Sequence, residues 1–308
     1  MSSSEREITL PGLNGSSLLG FMAALGTLRT LNGITEVAPP RIKWLSRGSS
    51  FCPVIRLFST LDDEALLLKL DEALKSYAGH STITFAPDLK VTAKQFRFMA
   101  EAQAGDYLAC NAQVGAAVTA AFGCDAITND EGNIEDTAFR TMSGAGHQHF
   151  LAFMNELAKN TSIEHLREAL FGPWRYRDPS PIMRWDDEDD RRYALRWDEP
   201  SKDPVRTVRG ANRLAIAALP MFTVVPTSSA TVATTGFKGR KSNDTFVTWP
   251  LWSGWLCLDA VRSTLALREL QDSDVTTHKL EGLGVVAVCR SQRITLGKYR
   301  NFTPAQML

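Results

Sequence analysis

Between Leu18 and Leu31 the apolar side chains Leu18, Leu19, Phe21, Met22, Leu25, Leu28 and Leu31 recur at helical spacing. They cover so much of the circumference that the predicted helix belongs at the centre of the molecule. Turn chemistry at Pro11–Gly15 precedes it, Ser16 or Ser17 supplies an N-cap, and Asn32-Gly33 stops it. Short apolar runs at Ile8–Leu10, Ile42–Leu45, Val54–Phe58 and Thr82–Ala86 predict strands, and Thr60 with Asp63 opens a helix to about Tyr77. Thr92 and Gln95 form a capping box for a helix carrying Phe96 and Met99, and Asp106 starts an alanine-rich helix ending at Gly123. Asn129–Asn133 is a turn before the strand candidate Ala138–Met142. Helices then follow on Phe150–Leu157 and, capped by Thr161 and Glu164, on Ile163–Leu170.

Beyond Gly172-Pro173 the pattern changes. Ala211–Leu219 and Trp255–Leu267 predict helices, Met221–Val225 and Thr231–Thr235 strands, and Val285–Cys289 with Arg293–Leu296 a closing hairpin. The expected fold is α+β, with mixed helices and short, mainly antiparallel strands in two subdomains, 1–172 and 173–308.

The segment from Pro173 to Leu214 interleaves Trp174, Tyr176, Trp185, Tyr193 and Trp197 with nine arginines, among them Arg206, Arg209 and Arg213. Guanidinium planes and aromatic faces in such density suit base stacking and phosphate contact. The acidic run Asp186–Asp190 opposes a polyanion and can pair with Arg184, Arg191 and Arg192. An internal platform and a nucleic-acid surface are therefore both open.

Charge narrows the possibilities. In 308 residues, 34 lysines and arginines balance 34 acids, so any nucleic-acid site must be a local patch. No apolar run reaches the length of a membrane span and the N-terminus lacks signal-peptide order, so a cytoplasmic protein with no membrane contact is expected. The cysteines Cys52, Cys110, Cys124, Cys257 and Cys289 stand singly and predict neither a disulfide framework nor a zinc finger.

Two further basic stretches stand out. Gly236–Asn243 carries Lys238, Arg240 and Lys241 between glycines and reads as a basic hairpin loop suited to backbone phosphates, or as a solvated loop. The stretch Arg290–Phe302 has Arg293, Lys298 and Arg300 with Tyr299 and no acid. On one extended backbone Lys298, Arg300 and Phe302 share a face, and Arg293 and Tyr299 take the other. Ser143–His147 lacks both the dinucleotide fingerprint and the P-loop ending, so a plain turn is the simpler reading. His147 and His149 lack a third metal ligand, and no metal or cofactor is expected. No nucleophile elbow, HExxH or helicase loop occurs, so a non-enzymatic role is expected. A metal-independent ribonuclease using His147 stays as an alternative.

Leu13–Arg29, Arg184-Trp185, Asp190–Trp197, Thr207–Leu214, Thr234–Phe237 and Gly297–Phe302 together resemble CRISPR-associated proteins of type I systems. The nearest is subtype I-G, formerly I-U, in its helicase-nuclease-extension or large-subunit-like families. The resemblance implies a subunit of an RNA-guided antiviral surveillance complex (Cascade), with guide RNA, target DNA, other effector subunits and the helicase-nuclease as partners. The helicase and nuclease motifs are absent, which implies binding rather than cutting. The residues expected to bind nucleic acid on physical grounds are Arg206, Arg209, Arg213, Lys238, Arg240, Lys241, Arg293, Lys298, Tyr299 and Arg300. The alternatives are a protein adaptor without nucleic-acid contact and a guide-RNA-processing ribonuclease.

Overall fold

Strand β1 (Ser4–Thr9) leads through a half-buried turn into helix α1 (Leu18–Ile34), which is buried from Leu18 to Leu28 and again at Leu31. The computed structural model describes residues 4–34, 38–59, 61–110, 113–142, 148–189, 206–239, 244–296 and 299–308. The chain is an α+β protein. Strands β2 (Arg41–Arg47) and β3 (Ser50–Ser59) form a hairpin, and α2 (Asp63–Lys75) follows. The side chain of Asp62 caps α2 by accepting from the Ala65 amide at 2.8 Å. The expected strand at Thr82–Ala86 is instead a helical turn, α3 (Ser81–Thr84), because His80 Nδ1 accepts from the Thr82 amide and draws the backbone round.

The Thr92–Gln95 capping box forms in both directions and starts α4 (Ala93–Cys110). The helix runs straight through Asp106, whose exposed side chain offers the backbone no competing bond. Helix α5 (Gln113–Phe122) then enters the hairpin of β4 (Gly123–Thr128) and β5 (Ile134–Asp136). Ala138–Met142, expected as a strand, is a turn: Thr137 donates to the Phe122 carbonyl and Arg140 to that of Thr137. This turn carries Phe139 into the core. Helices α6 (Phe150–Asn160) and α7 (Ile163–Phe171) follow, the second capped by Ser162 and His165 rather than Thr161 and Glu164.

The remaining elements are α8 (Arg209–Ala218), the hairpin of β6 (Val224–Pro226) and β7 (Val232–Thr234), β8 (Phe237–Lys238), β9 (Thr245–Trp252), β10 (Leu256–Cys257), α9 (Leu258–Leu265), α10 (Thr277–Leu280), β11 (Val285–Leu296), β12 (Tyr299–Phe302) and β13 (Gln306–Met307). One antiparallel sheet has the order β1-β3-β2-β10 and another β12-β11-β9-β8, with β13 also pairing β11.

Gly172 does not separate two cores. Strand β10 joins the sheet made by the N-terminal strands, and α8 packs along α1. Phe21 of α1 stacks on Trp44 of the first sheet at 5.6 Å and touches Trp249 and Trp252 of the second at 5.7 and 6.5 Å. Trp249 and Trp252 donate their indole N–H groups to the carbonyls of Gly15 and Ile42, so these two buried rings stay polar-satisfied.

The α1–α8 contact depends on Gly26, where a Cβ would collide with the Leu214 carbonyl oxygen. Gly26→Ala should therefore lose about 1–3 kcal/mol in urea denaturation. Gly33→Ala on the same helix, with open space around the new methyl, should be neutral or slightly stabilising. Equal effects of the two would contradict this packing.

Candidate functional site

The terminal hairpin decides where the basic residues go. Val285–Cys289 and Arg293–Leu296, expected as two arms, are one continuous strand, and β11 turns back on β12. The register pairs Arg293 with Phe302, Thr295 with Arg300 and Leu296 with Tyr299. Residues directly opposite in an antiparallel ladder share a face. Arg293 and Arg300 therefore lie on the same face of the sheet, not on opposite faces as a single extended strand would place them. Arg300 and Phe302 do share a face, as alternation predicts. Cys289 and Ser291 precede Arg293 on that face and are buried, as is Phe302. Arg293 is thus carried inward, to 9% exposure.

Over this end of the sheet lies a polar cleft with room of about 430 Å³ for solvent. Its floor contains Arg293, Arg300 and Arg140. Its walls come from Glu135, Asp136 and Thr137 of the β4–β5 side, from Thr227, Ser229 and Thr231 at the β6–β7 turn, and from Gly239 and Thr245 at the ends of β8 and β9. Arg140 is placed by its neighbour Phe139, which is locked edge-on against Trp185, Phe222 and Phe237 at 5.7, 5.0 and 4.7 Å.

Ion pairing in the cleft is uneven. Arg140 Nε donates to Asp136 at 2.7 Å, and its Nη1 lies 3.6 Å from Asp88 and donates to the Met142 carbonyl. Arg293 holds the Ala138 carbonyl at 2.8 Å, and Arg300 the Arg140 carbonyl at 3.3 Å. Among the described residues no carboxylate is within ion-pair distance of either, and Arg293 Nε is buried without a partner. Burial, and then the nearby Arg300, push Arg293 down to about 10. Burial and Arg140 lower Arg300 likewise. Asp136 is raised by burial, against the pull of Arg140 and Arg300. Guanidinium groups set in this way, charged, desolvated and with donors to spare, can accept an anion with little rearrangement.

The other expected residues lie elsewhere. Arg213 is core: 1% exposed, it packs over the Tyr77 ring at 5.0 Å and donates to the Leu74 carbonyl, so it cannot meet a ligand at the surface. Arg209 is half-buried and reaches toward the Asn160 carbonyl, and Arg206 is exposed and donates to the Arg177 carbonyl. Lys238 is exposed beside the cleft residues Phe237 and Gly239. Arg240, Lys241, Lys298 and His147 lie outside the described residues, as does the side chain of Tyr299. The expected outward patch is thus a recess holding Arg293 and Arg300, with the Arg206–Arg213 stretch on different ground.

The aromatic segment also turns inward. Trp185 is fully buried and donates to the Phe139 carbonyl, and Trp174 donates to that of Ala169. Asp186 is buried against the Tyr176 hydroxyl and pushed up to about 7 by burial and by Asp187. Up to Asp186 the platform reading holds. Tyr193 and Trp197 lie outside the described residues. Sequence reasoning missed Arg140, Asp136 and the hydroxyl-bearing wall. No local pattern marks them, because they meet only when the β4–β5 side closes on the terminal hairpin.

No family model and no curated protein matches this chain. Among the described residues no group of three or more His, Cys, Asp and Glu side chains is placed to share a metal ion.

Because Asp136 keeps its proton to a higher pH than an ordinary carboxyl, acidification neutralises it while the arginines stay charged. Affinity for an anion such as sulfate should rise as pH falls through the carboxylate range. Asp136→Asn should bind more tightly at neutral pH and flatten the profile, as read by calorimetry. An unchanged profile in Asp136→Asn would remove Asp136 from the site.

Proposed function

We propose that this chain is a non-catalytic, cytoplasmic subunit of an RNA-guided CRISPR effector complex that holds the backbone of guide RNA or target DNA in the arginine cleft. The observation that carries the reading is the convergence of Arg140, Arg293 and Arg300 on one polar recess, two of them holding, among the described residues, only main-chain carbonyls. Phosphate oxygens are strong acceptors that match the geometry of a guanidinium fork. Such contacts carry no base information, which suits an assembly in which guide pairing reads the sequence. The motif resemblance over Leu13–Arg29, Thr207–Leu214 and Gly297–Phe302 supplies the biological setting.

A protein-adaptor reading, with docking on another effector subunit or on the helicase-nuclease, is favoured by a separate observation. Helix α4 exposes Phe98 and Leu108 at 77% and 83%, an unusual display for residues of this size. The two roles are compatible in one subunit. No described helix is long and apolar enough to cross a membrane, and the reading requires none.

Binding of labelled oligonucleotides across a range of ionic strength tests the proposal. Affinity should fall steeply with salt, and Arg293→Met or Arg300→Gln should each cut affinity by about tenfold and lower the salt slope by about one. Arg206→Ala, away from the cleft, should change little. Salt-independent binding, or equal losses in all three variants, would defeat the cleft assignment. Native pull-downs that recover partner subunits but no nucleic acid would favour the adaptor.

A further inference from the structure

The depth of the cleft carries a narrower conclusion, which rests on the nucleic-acid reading above. Arg293 lies beneath the surface, with Nη1 fixed on Ala138 and Nε unpartnered. A ligand must therefore enter the cleft past Glu135–Thr137 and the β6–β7 turn to reach it. We infer that the recess takes a backbone phosphate of a single-stranded polynucleotide and rejects a duplex.

Duplex DNA is stiff over about 150 base pairs and presents its phosphates on a convex rod, so it cannot lower one phosphate into a pit without severe local deformation. A single strand rotates about its backbone bonds and can lower one. Once there, the phosphate meets the guanidinium groups of Arg293 and Arg300 on the floor. Thr227, Ser229 and Thr231, whose hydroxyls form a cluster at 2.6 to 3.3 Å, stand on the wall as further donors. The one aromatic residue lining the cleft among the described residues is Phe237, 9% exposed and packed against Phe139 and Phe302. No described ring lining the cleft offers a free face to a base, and a guanidinium grip on phosphate carries no base identity, unlike an aromatic platform.

RNA and DNA strands share this phosphate chemistry, and the test separates them. Fluorescence anisotropy of the full chain would use single-stranded RNA and single-stranded DNA, each in two base compositions, together with a DNA duplex. Single strands should bind with little dependence on composition, and the duplex about tenfold or more weaker. Arg293→Met and Arg300→Gln should each lose about tenfold on single strands. Arg300 is less buried, so its variant keeps the test sound if Arg293→Met melts early by circular dichroism. Tighter binding of RNA would assign the guide as occupant, and tighter binding of DNA an unwound target strand. Duplex binding as tight as that of the strands, with the same dependence on Arg293, would overturn the single-strand restriction and leave the proposed function standing. Indifference of every probe to Arg293 and Arg300 would overturn both. Pyrophosphate that raises the melting temperature through Arg293, with no strand bound, would reveal a free-anion site and also overturn both.

Discussion

The pairing of Arg293 with Phe302 across the terminal hairpin is the constraint on which the site depends. Side chains alternate along each strand, so one register sets the face of every residue in the pair, and a slip of one position would reverse them all. In the observed register the row Cys289, Ser291 and Arg293 faces inward, and Arg300 joins it from β12. The apolar members anchor the row, Phe302 against Phe139 and Phe237, and the charged members are pulled in with them.

That placement has an energetic consequence. Keeping Arg293 charged at 9% exposure costs on the order of 3 kcal/mol, judged from its pKa near 10. Asp136 is spent on Arg140, and the main-chain carbonyls of Ala138 and Arg140 compensate the other two guanidinium groups only in part. The rest of the molecule sustains the cost: Phe21 joins the two sheets through Trp44, Trp249 and Trp252, while α1 and α8 meet at Gly26. A bound anion would return part of the lost interaction, so the cleft stores affinity in the folded state.

Much of the architecture was legible in the sequence because its signals are local. The all-round apolar helix at Leu18–Leu31, the Thr92–Gln95 capping box and the short strand run at Ile42–Leu45 each act within a few residues, and each forms the element its pattern predicts. The failures share a physical cause. The turn at Ala138–Met142, the helical turn at Ser81–Thr84 and the buried Arg213 are set by partners far along the chain or by a single capping side chain. Arg293 and Arg300 were found as charges but assigned to opposite faces, because β12 runs back antiparallel along β11 instead of continuing it. Gly297 in the sequence was the available sign. The density of arginine and tryptophan before Asp186 left an internal platform and an outward surface both open by composition; Ile182–Asp186 is buried, since Trp185 and Asp186 both find hydrogen-bond partners inside.

The most direct test of the central claim is NMR of isotopically labelled arginine side chains, titrated with a short single-stranded oligonucleotide. The Nε–H signals of Arg293 and Arg300 should shift together as strand is added, while that of Arg213, enclosed beside Tyr77, stays in place. Movement confined to Arg206 and Arg209, with Arg293 and Arg300 unchanged at saturation, would contradict the account.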